Sequence, residues 1–145
     1  MTVFDAQAIV AGLIGEPAAS RVTELLEGEE ARISAVNLAE ALDSITRRRG
    51  WPHAEVAEKI NWLKLGGLQI EPVTELIATA AARLRSRHYH RQRRPVSIAD
   101  CIALALALEL GDQLATSDPA LLATARDEGC TVVALPDSEG KIADF

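Results

Sequence analysis

The sequence is poor in aromatic residues, in cysteine and in long apolar runs. Aromatic residues make up 3% of its 145 residues, so the core must be aliphatic. Cys101 and Cys130 are its two cysteines, and their apolar surroundings predict buried free thiols in a reducing cytoplasm. Charged residues break every apolar run before it reaches membrane-spanning length, and the N-terminus lacks the pattern of a secretory signal. We therefore expect one cytoplasmic domain covering 1–145, with no membrane contact.

Basic residues are also scarce, but they are unevenly distributed. The net charge is −6, from 21 acidic and 15 basic residues, which argues against sequence-independent coating of nucleic acid. Six of the 15 basic residues lie in the segment RLRSRHYHRQRR, from Arg83 to Arg94. Two interpretations of this segment remain open: a local patch that holds a polyanion, or a solvated helix end followed by a mobile loop.

Short apolar runs typical of strands alternate with helical patterns along the whole chain. The predicted strands are Val3–Asp5, Arg32–Ser34, Leu68–Glu71, Gln113–Thr116 and Thr131–Ala134. The predicted helices are Ala6–Leu13, Pro17–Glu27, Val36–Arg49, His53–Lys64, Thr74–Arg87, Ile98–Leu110 and Pro119–Asp127. Strands joined by crossover helices predict an α/β fold, a single three-layer α/β/α domain around a mostly parallel sheet of four or five short strands.

Four acidic residues fall at one end of this predicted sheet. Asp5 closes the first strand, and Asp118 lies two residues after the fourth. Asp100 lies near the start of Ile98–Leu110, which begins at the same edge because a tight glycine turn leads it into the fourth strand. Glu40 lies just over one turn into the helix after the second strand. Ligands bind beyond the carboxyl ends of parallel strands, so we expect the four side chains to converge there.

The four acids have two open interpretations. As a cluster they would repel one another and raise their own pKa values unless a divalent cation neutralised them, and carboxylates without histidine or cysteine suit Mg²⁺ or Mn²⁺. As structural residues they would be helix caps. Ser97 and Asp100 have the form of a capping box, and Ser117 or Asp118 precedes a helix that begins with proline.

Glu40 has the weakest support from pattern alone. The apolar stripe of its helix is predicted to consist of Ala35, Leu38, Ala39, Leu42 and Ile45. Glu40 would lie nearly opposite that stripe and face solvent. Only its position close to the edge of the sheet favours a role in a site.

Four fragments carry a resemblance to a known family. VFDAQAI, ISAVNLAEAL, SIADCIALALAL and LATSDPAL occur in the order and at roughly the spacing of the PIN-domain ribonucleases. The chain resembles that family over essentially its whole length, and most of all the VapC-like toxins of toxin–antitoxin pairs. The resemblance implies that Asp5, Glu40, Asp100 and Asp118 are the catalytic, metal-binding acids and that they hold Mg²⁺, with Mn²⁺ as an alternative.

Neighbouring polar residues are expected to support these acids. The family places a hydroxyl residue close to its last acid, and Thr116 and Ser117 fill that place. Asn37 lies one turn before Glu40, either to orient it or as an ordinary exposed residue. The sequence departs from the family after the first acid, where Ala6 and Gln7 replace a small hydroxyl or amide pair.

The activity implied by the resemblance is Mg-dependent hydrolysis of RNA phosphodiester bonds by the toxin of a type II toxin–antitoxin system. RNA backbone would be held by four arginines, Arg87, Arg91, Arg93 and Arg94. The implied partners are an RNA substrate, a cognate antitoxin and a second copy in a homodimer. Trp51, Trp62 and Leu63 form a candidate groove for the antitoxin, with ordinary core as the alternative.

Two rival functions remain at this point. One is a phosphoryl-handling domain of the phosphohydrolase or receiver type. It requires a lysine after a later strand, whereas the lysines here are Lys59, Lys64 and Lys141, none of them just after a core strand. The other is a catalytically silent α/β module whose acids are only helix caps.

Overall fold

The computed structural model describes residues 1–28 and 30–144, and these contain a fully parallel five-stranded sheet. The strands are β1 (Thr2–Phe4), β2 (Ala31–Ser34), β3 (Leu68–Glu71), β4 (Gln113–Thr116) and β5 (Val132–Ala134), in the spatial order β3-β2-β1-β4-β5. All five predicted strands are confirmed. Asp5 was predicted to be the last residue of the first strand, but it lies just outside β1 and caps the next helix.

Seven α-helices lie within the described residues. They are α1 (Ala6–Ile14), α2 (Ala19–Gly28), α3 (Ala35–Asp43), α4 (His53–Leu65), α5 (Glu75–His88), α6 (Ile98–Leu110) and α7 (Pro119–Asp127). The predicted helix Val36–Arg49 is wrong at its C-terminal end, since α3 stops at Asp43 and continues as a π-helical turn, Ser44–Arg48. In that turn the Thr46 hydroxyl donates to the Leu42 carbonyl at 2.8 Å, a side-chain bond that competes with the regular helical ladder.

The strands alternate their side chains between two separate cores. Val3 and Leu114 pack with residues of α5, α6 and α7, whereas Phe4 and Ala115 pack with residues of α1 to α4. The sheet is therefore covered on both faces, as parallel sheets require, and the predicted three-layer α/β/α architecture is confirmed.

The chain changes direction across the sheet at β1. From β1 it passes to β2 and β3 on one side, and it later returns to β4 and β5 on the other. Gly111, with φ +68°, ends α6 and leads directly into β4, so α6 starts at the edge where β4 ends. The crevice between the carboxyl ends of β1 and β4 is the place where such sheets bind ligands.

Two further predictions concern burial and membranes. Cys101 and Cys130 are buried free thiols, as predicted, and burial raises the pKa of Cys101 to about 11. Across residues 1–28 and 30–144, no helix combines the length and the apolar character needed to cross a membrane.

Candidate functional site

Asp5 is the most enclosed of the four acids. It is the N-cap of α1, with Oδ1 accepting the Ala8 N–H at 2.8 Å and Oδ2 accepting the Thr116 hydroxyl. Burial raises the pKa of Asp5 to about 7; the hydrogen bonds from Thr116 and Ala8 oppose this rise, and the charges of Asp100 and Asp118 add to it. Asp5 is therefore a carboxyl group that titrates near neutrality when no cation is present.

Asp100 lies at the N-terminus of α6 in the predicted capping box. The Ser97 hydroxyl accepts the Asp100 N–H at 3.0 Å, and Asp100 Oδ2 accepts the Ser97 N–H at 2.8 Å. Burial raises the pKa of Asp100, Ser97 opposes the rise, and the charge of Asp118 adds to it. The hydrogen bonds that lower the pKa of the Asp100 carboxylate come from Ser97.

Asp118, rather than Ser117, caps α7. Its Oδ1 accepts the Leu121 N–H at 2.8 Å, and its own backbone N–H donates to Thr116 Oγ1 at 3.0 Å. The buried Thr116 hydroxyl therefore links the first acid to the last, since it also donates to Asp5. Ser117 has no such link within the described residues.

Glu40 is exposed, yet it belongs to the same electrostatic group. Partial burial of its carboxylate and the charge of Asp100 raise the pKa of Glu40, while Asn37 and Arg48 lower it. The stripe predicted for α3 is wrong at Ala35 and Ala39, which are both exposed. The residues buried along this helix and its π-helical turn are Asn37, Ala41 and Ile45. Leu38, Leu42 and Ile45 of the predicted stripe do pack in or against the core, and Glu40 is exposed, as its periodicity predicted.

Asn37 is buried although it is polar, which is the feature that periodicity missed. Its Oδ1 accepts the Ser34 hydroxyl at 2.5 Å, and its Nδ2 donates to the Ala99 carbonyl at 3.0 Å. Ala99 directly precedes Asp100, so the Asn37 amide joins the start of α3 to the start of α6. The signal available in the sequence was Ser34, which is followed by a helical pattern and caps α3 by accepting the Asn37 N–H at 3.0 Å.

The carboxylates of the four acids suit a hard cation, but the described side chains do not form a complete coordination site for one. Throughout residues 1–28 and 30–144, no three His, Cys, Asp or Glu side chains are arranged to hold a metal ion. The acids nevertheless act on one another electrostatically, and Asp100 and Asp118 each commit only one oxygen to a helix N-terminus. Oxygen donors without histidine or cysteine are those that Mg²⁺ and Mn²⁺ prefer, so the residues fit such an ion chemically.

Residues 2–127 match the PIN domain family. The chain belongs to the PIN-domain family. This match covers all four acids and confirms the family resemblance carried by the four sequence fragments. No curated protein matches the sequence significantly.

Solved structures confirm the fold of this PIN domain. FitAcB from Neisseria gonorrhoeae is 23% identical and superposes with a TM-score of 0.65 over 91% of this chain and 96% of that one. VapC20 from Mycobacterium tuberculosis, a toxin that cleaves the sarcin–ricin loop, is 20% identical, with a TM-score of 0.67 over 85% and 94%. A toxin–antitoxin complex from Klebsiella pneumoniae is 19% identical, with a TM-score of 0.63 over 85% and 91%.

The arginine-rich segment of the PIN domain is a tight turn and not an irregular loop. His90 and Arg94 pair in an antiparallel bridge, with N–H to carbonyl distances of 2.9 and 3.0 Å. Within the turn, His90 Nδ1 accepts the backbone N–H groups of Gln92 and Arg93 at 3.2 and 3.1 Å. These bonds give the segment from His90 to Arg94, here called the basic turn, a defined shape.

The end of α7 holds the basic turn in place. Glu128 Oε1 lies 2.7 Å from Arg87 Nη1 and 2.5 Å from His88 Nε2. Arg94 Nη1 lies 2.5 Å from Asp127 Oδ2 and 3.1 Å from His88 Nδ1. Two of the four predicted RNA-binding arginines, Arg87 and Arg94, are therefore engaged in ion pairs within the PIN domain.

The other two arginines are accessible. Arg91 and Arg93 are exposed, and their guanidinium groups form no ion pair with the described residues. Arg93 and Arg94 line a groove of about 310 Å³ that also includes Asp118 and Pro119. This groove connects the basic turn with the rim where the acids lie.

The apolar side chains predicted for the antitoxin groove lie in different environments. Trp51 and Leu63 are half-buried and pack against the core, and Lys59 Nζ lies 5.5 Å from the Trp51 ring centroid. Trp62 is 67% exposed, so the core interpretation is wrong for this residue, and Leu65 one turn further along α4 is 82% exposed. The exposed apolar surface of α4 is therefore the pair Trp62 and Leu65.

Proposed function

We propose that this PIN domain is a magnesium-dependent ribonuclease that hydrolyses RNA phosphodiester bonds and acts as the toxin of a type II toxin–antitoxin pair. The observation that carries the proposal is the hydrogen-bond geometry at the crevice between β1 and β4. There Thr116 links Asp5 to Asp118, and Asn37 links the start of the helix that carries Glu40 to the start of the helix that carries Asp100. Burial and neighbouring acids raise the pKa values of Asp5 and Asp100, as is typical of carboxylates in functional sites.

Asp5, Asp100, Asp118 and Glu40 would hold Mg²⁺, with Mn²⁺ as an alternative. When bound, the cation supplies Lewis-acid catalysis and offsets the negative charge that develops on the phosphate during hydrolysis. Thr116 orients the Asp5 carboxylate, and Asn37 fixes the start of the helix that carries Asp100. Ser117 lies between Thr116 and Asp118 in the chain and lines a neighbouring cavity.

The RNA backbone would approach along the basic turn. Arg91 and Arg93 are the direct phosphate ligands in this proposal because their guanidinium groups are exposed and unpaired within the described residues. Arg94 lines the groove that leads to Asp118, and Arg87 supports the turn through its ion pair with Glu128. Binding through such contacts weakens as salt rises, in proportion to the phosphates neutralised.

The proposed protein partners are a cognate antitoxin and a second copy of the chain. Several structural relatives are toxin–antitoxin complexes, among them the Klebsiella pneumoniae complex. The exposed side chains of Trp62 and Leu65 on α4 form an apolar surface against which an antitoxin helix would pack. Homodimer formation remains a prediction from the family resemblance.

The direct test is RNA cleavage by the purified protein with Mg²⁺ or Mn²⁺, with and without EDTA. We expect Asp5→Asn and Asp100→Asn to reduce the cleavage rate on the order of a hundredfold or more, because each removes a charge from the proposed cation site. Asp43→Asn is the matched control, since Asp43 is an exposed acid paired with Arg47 outside the site. Undiminished cleavage in EDTA, or an equal loss in the Asp43 variant, would contradict the proposal.

One observation favours a catalytically silent module as the second candidate. Asp5, Asp100 and Asp118 all cap helices. Among the described residues, no three His, Cys, Asp or Glu side chains are arranged to coordinate a metal ion. Calorimetric titration with Mn²⁺ separates the two candidates. A nuclease takes up the ion and loses that uptake in Asp100→Asn, whereas a silent module shows no uptake and no cleavage.

A further inference from the structure

A polar cavity of about 290 Å³ lies beside the acids on the α1 side of the sheet. Gln7 and Ala8 of α1 form one wall, and the segment from Pro136 to Ser138 after β5 forms another. Ser117, between Thr116 and Asp118, also lines it. Gln7 follows Asp5 by two residues, so both the first and the last acid have a near neighbour in the cavity wall.

The polar groups of the cavity differ in how far they are already engaged. Arg49 Nη2 lies 2.9 Å from Glu16 Oε1. Asp137 Oδ1 accepts the backbone N–H groups of Glu139 and Lys141, each at 2.9 Å. In contrast, the Gln7 amide and the Ser117 hydroxyl make no hydrogen bond with the described residues, so they are available to recognise a ligand.

Charge and shape restrict what the cavity accepts. Its charged lining residues are Glu16, Asp137 and Arg49, so carboxylates outnumber the single guanidinium and a phosphate group is disfavoured. Ala11 and Leu135 are buried, so the half-buried ring of Pro136 supplies the apolar surface against which a flat ring can pack. An uncharged, planar ligand with hydrogen-bonding edges satisfies both conditions, and the base of a nucleotide has these properties.

We propose that this cavity binds one unpaired nucleobase of the RNA, adjacent to the phosphate that is cleaved. Gln7 and Ser117 contact the edge of the base, and adenine is the base chosen for the test because its N6 amino group and N7 place a donor and an acceptor side by side for a glutamine amide. The proposal rests on the proposed ribonuclease function and adds the part of the substrate that determines specificity. Gln7 stands where the family has a small hydroxyl or amide residue, and this departure from the family pattern then affects which base the cavity selects.

The first test measures binding without requiring catalysis. Adenosine and ribose 5-phosphate are titrated to millimolar concentration into the wild-type protein in EDTA, and the amide resonances are followed by NMR. We expect adenosine to shift the Gln7 side-chain amide and the Ser117 backbone amide, and ribose 5-phosphate to leave both unchanged. No shift with adenosine, or equal shifts with the two probes, overturns the proposal.

Two glutamine variants make this measurement specific. Gln7→Ala removes the amide and keeps α1 intact, because alanine is the better helix former. We expect it to abolish the adenosine-induced shift at Ser117. Gln69→Ala, at an exposed position on the edge strand β3, is the matched control and retains that shift. If both variants behave like the wild type, Gln7 does not read the base.

The second test reads specificity from cleavage products. A pool of random RNA is digested with Mg²⁺, and the ends of the products are sequenced. At one position relative to the cut, the base preference of Gln7→Ala should be about tenfold weaker than that of the wild type, and the preferences at other positions should be unchanged. A uniform fall at every position overturns the subsite. If the wild type cleaves no RNA, the proposed function fails, and the adenosine titration still decides whether the cavity binds a base.

Discussion

At the scale of single residues, Asp5 shows how a structural and a chemical role share one side chain. Asp5 is 2% exposed and caps α1, yet burial and its acidic neighbours raise its pKa to about 7. Capping favours an ionised carboxylate at a helix N-terminus, whereas burial disfavours it. The balance leaves a group whose charge depends on whether a cation is present.

The raised pKa of Asp5 predicts how stability changes with pH. A folded-state pKa near 7, against 3.8 for the unfolded chain, means that the folded state binds this proton more tightly. The stability gained is complete below pH 3.8 and is lost as pH rises through 7. In EDTA, the Tm of the wild type should therefore fall by several degrees between pH 5 and 8.

Asp5→Asn should flatten this fall, since asparagine has no proton to lose. Asp43→Asn serves as the control and should keep the wild-type slope, because the pKa of the exposed Asp43 is already lowered by Arg47 and the group stays ionised above pH 5. Melting curves at the two pH values measure both variants. A fall of the same size in Asp5→Asn would show that Asp5 does not titrate in this range.

Asn37 carries a prediction about stability alone. Replacing it with alanine removes two side-chain hydrogen bonds, the one that Asn37 accepts from the Ser34 hydroxyl and the one that it donates to the Ala99 carbonyl. We expect a loss of about 1–3 kcal/mol in the free energy of unfolding, because each hydrogen bond contributes about 0.5–1.5 kcal/mol. Urea denaturation measures it, with Asn61→Ala on the exposed face of α4 as the control. Equal midpoints for the two variants would refute the role.

At the scale of elements, the basic turn depends on a helix that lies elsewhere in the sequence. Arg87, His88 and Arg94 reach Glu128 and Asp127 at the end of α7, across sequence separations of 33 to 41 residues. The bond from His88 lowers the pKa of Glu128. The turn is thus held as one unit with α7, which also begins at Asp118 in the proposed site.

Removing both acids should loosen the basic turn. In the double variant Asp127→Asn with Glu128→Gln, the ion pairs to Arg87 and Arg94 are lost. We expect trypsin to cleave after Arg91 or Arg93 several times faster than in the wild type, because exposed segments with few contacts open locally. Glu58→Gln on α4 is the control. Unchanged cleavage at the turn in the double variant would show that its own backbone bonds are sufficient.

At the scale of the whole molecule, the two faces of the sheet present different surfaces. One face carries α1 to α4 with the exposed Trp62 and Leu65, and the other carries α5 to α7 with the exposed Leu76. Both sets of side chains lie outside the two cores. A partner that recognises one face should therefore be separable by mutation from the stability of the domain.

We expect Trp62→Gln with Leu65→Lys to keep the wild-type Tm within a few degrees and to abolish binding of the proposed antitoxin. The side chains are 67% and 82% exposed, so their replacement costs the fold little. Leu76→Lys, at a position 61% exposed on the other face, is the control and should bind normally. Isothermal titration calorimetry distinguishes the variants; undiminished binding by the double variant would place the antitoxin elsewhere.

Local signals in the sequence specify the order of the elements and the edge of the sheet on which the acids lie. Glycines after helices, the capping box at Ser97 and Asp100, and proline after Asp118 are local signals, and each acts within a few residues of the structure that it specifies. The parallel arrangement followed from strands separated by helices, since parallel neighbours require a crossover. These features were predicted because short-range physics is sufficient to produce them.

The burial of polar residues and the pairing of charges depend instead on contacts between distant parts of the chain. Asn37 is inside because Ala99, 62 positions away, presents a carbonyl to it. Arg87 is engaged because Glu128 lies beside it, and the cavity at Gln7 exists because the segment after β5 closes one side. Such contacts join residues that are distant in the chain, so no local pattern records them, and they appear only when the sheet brings its helices together.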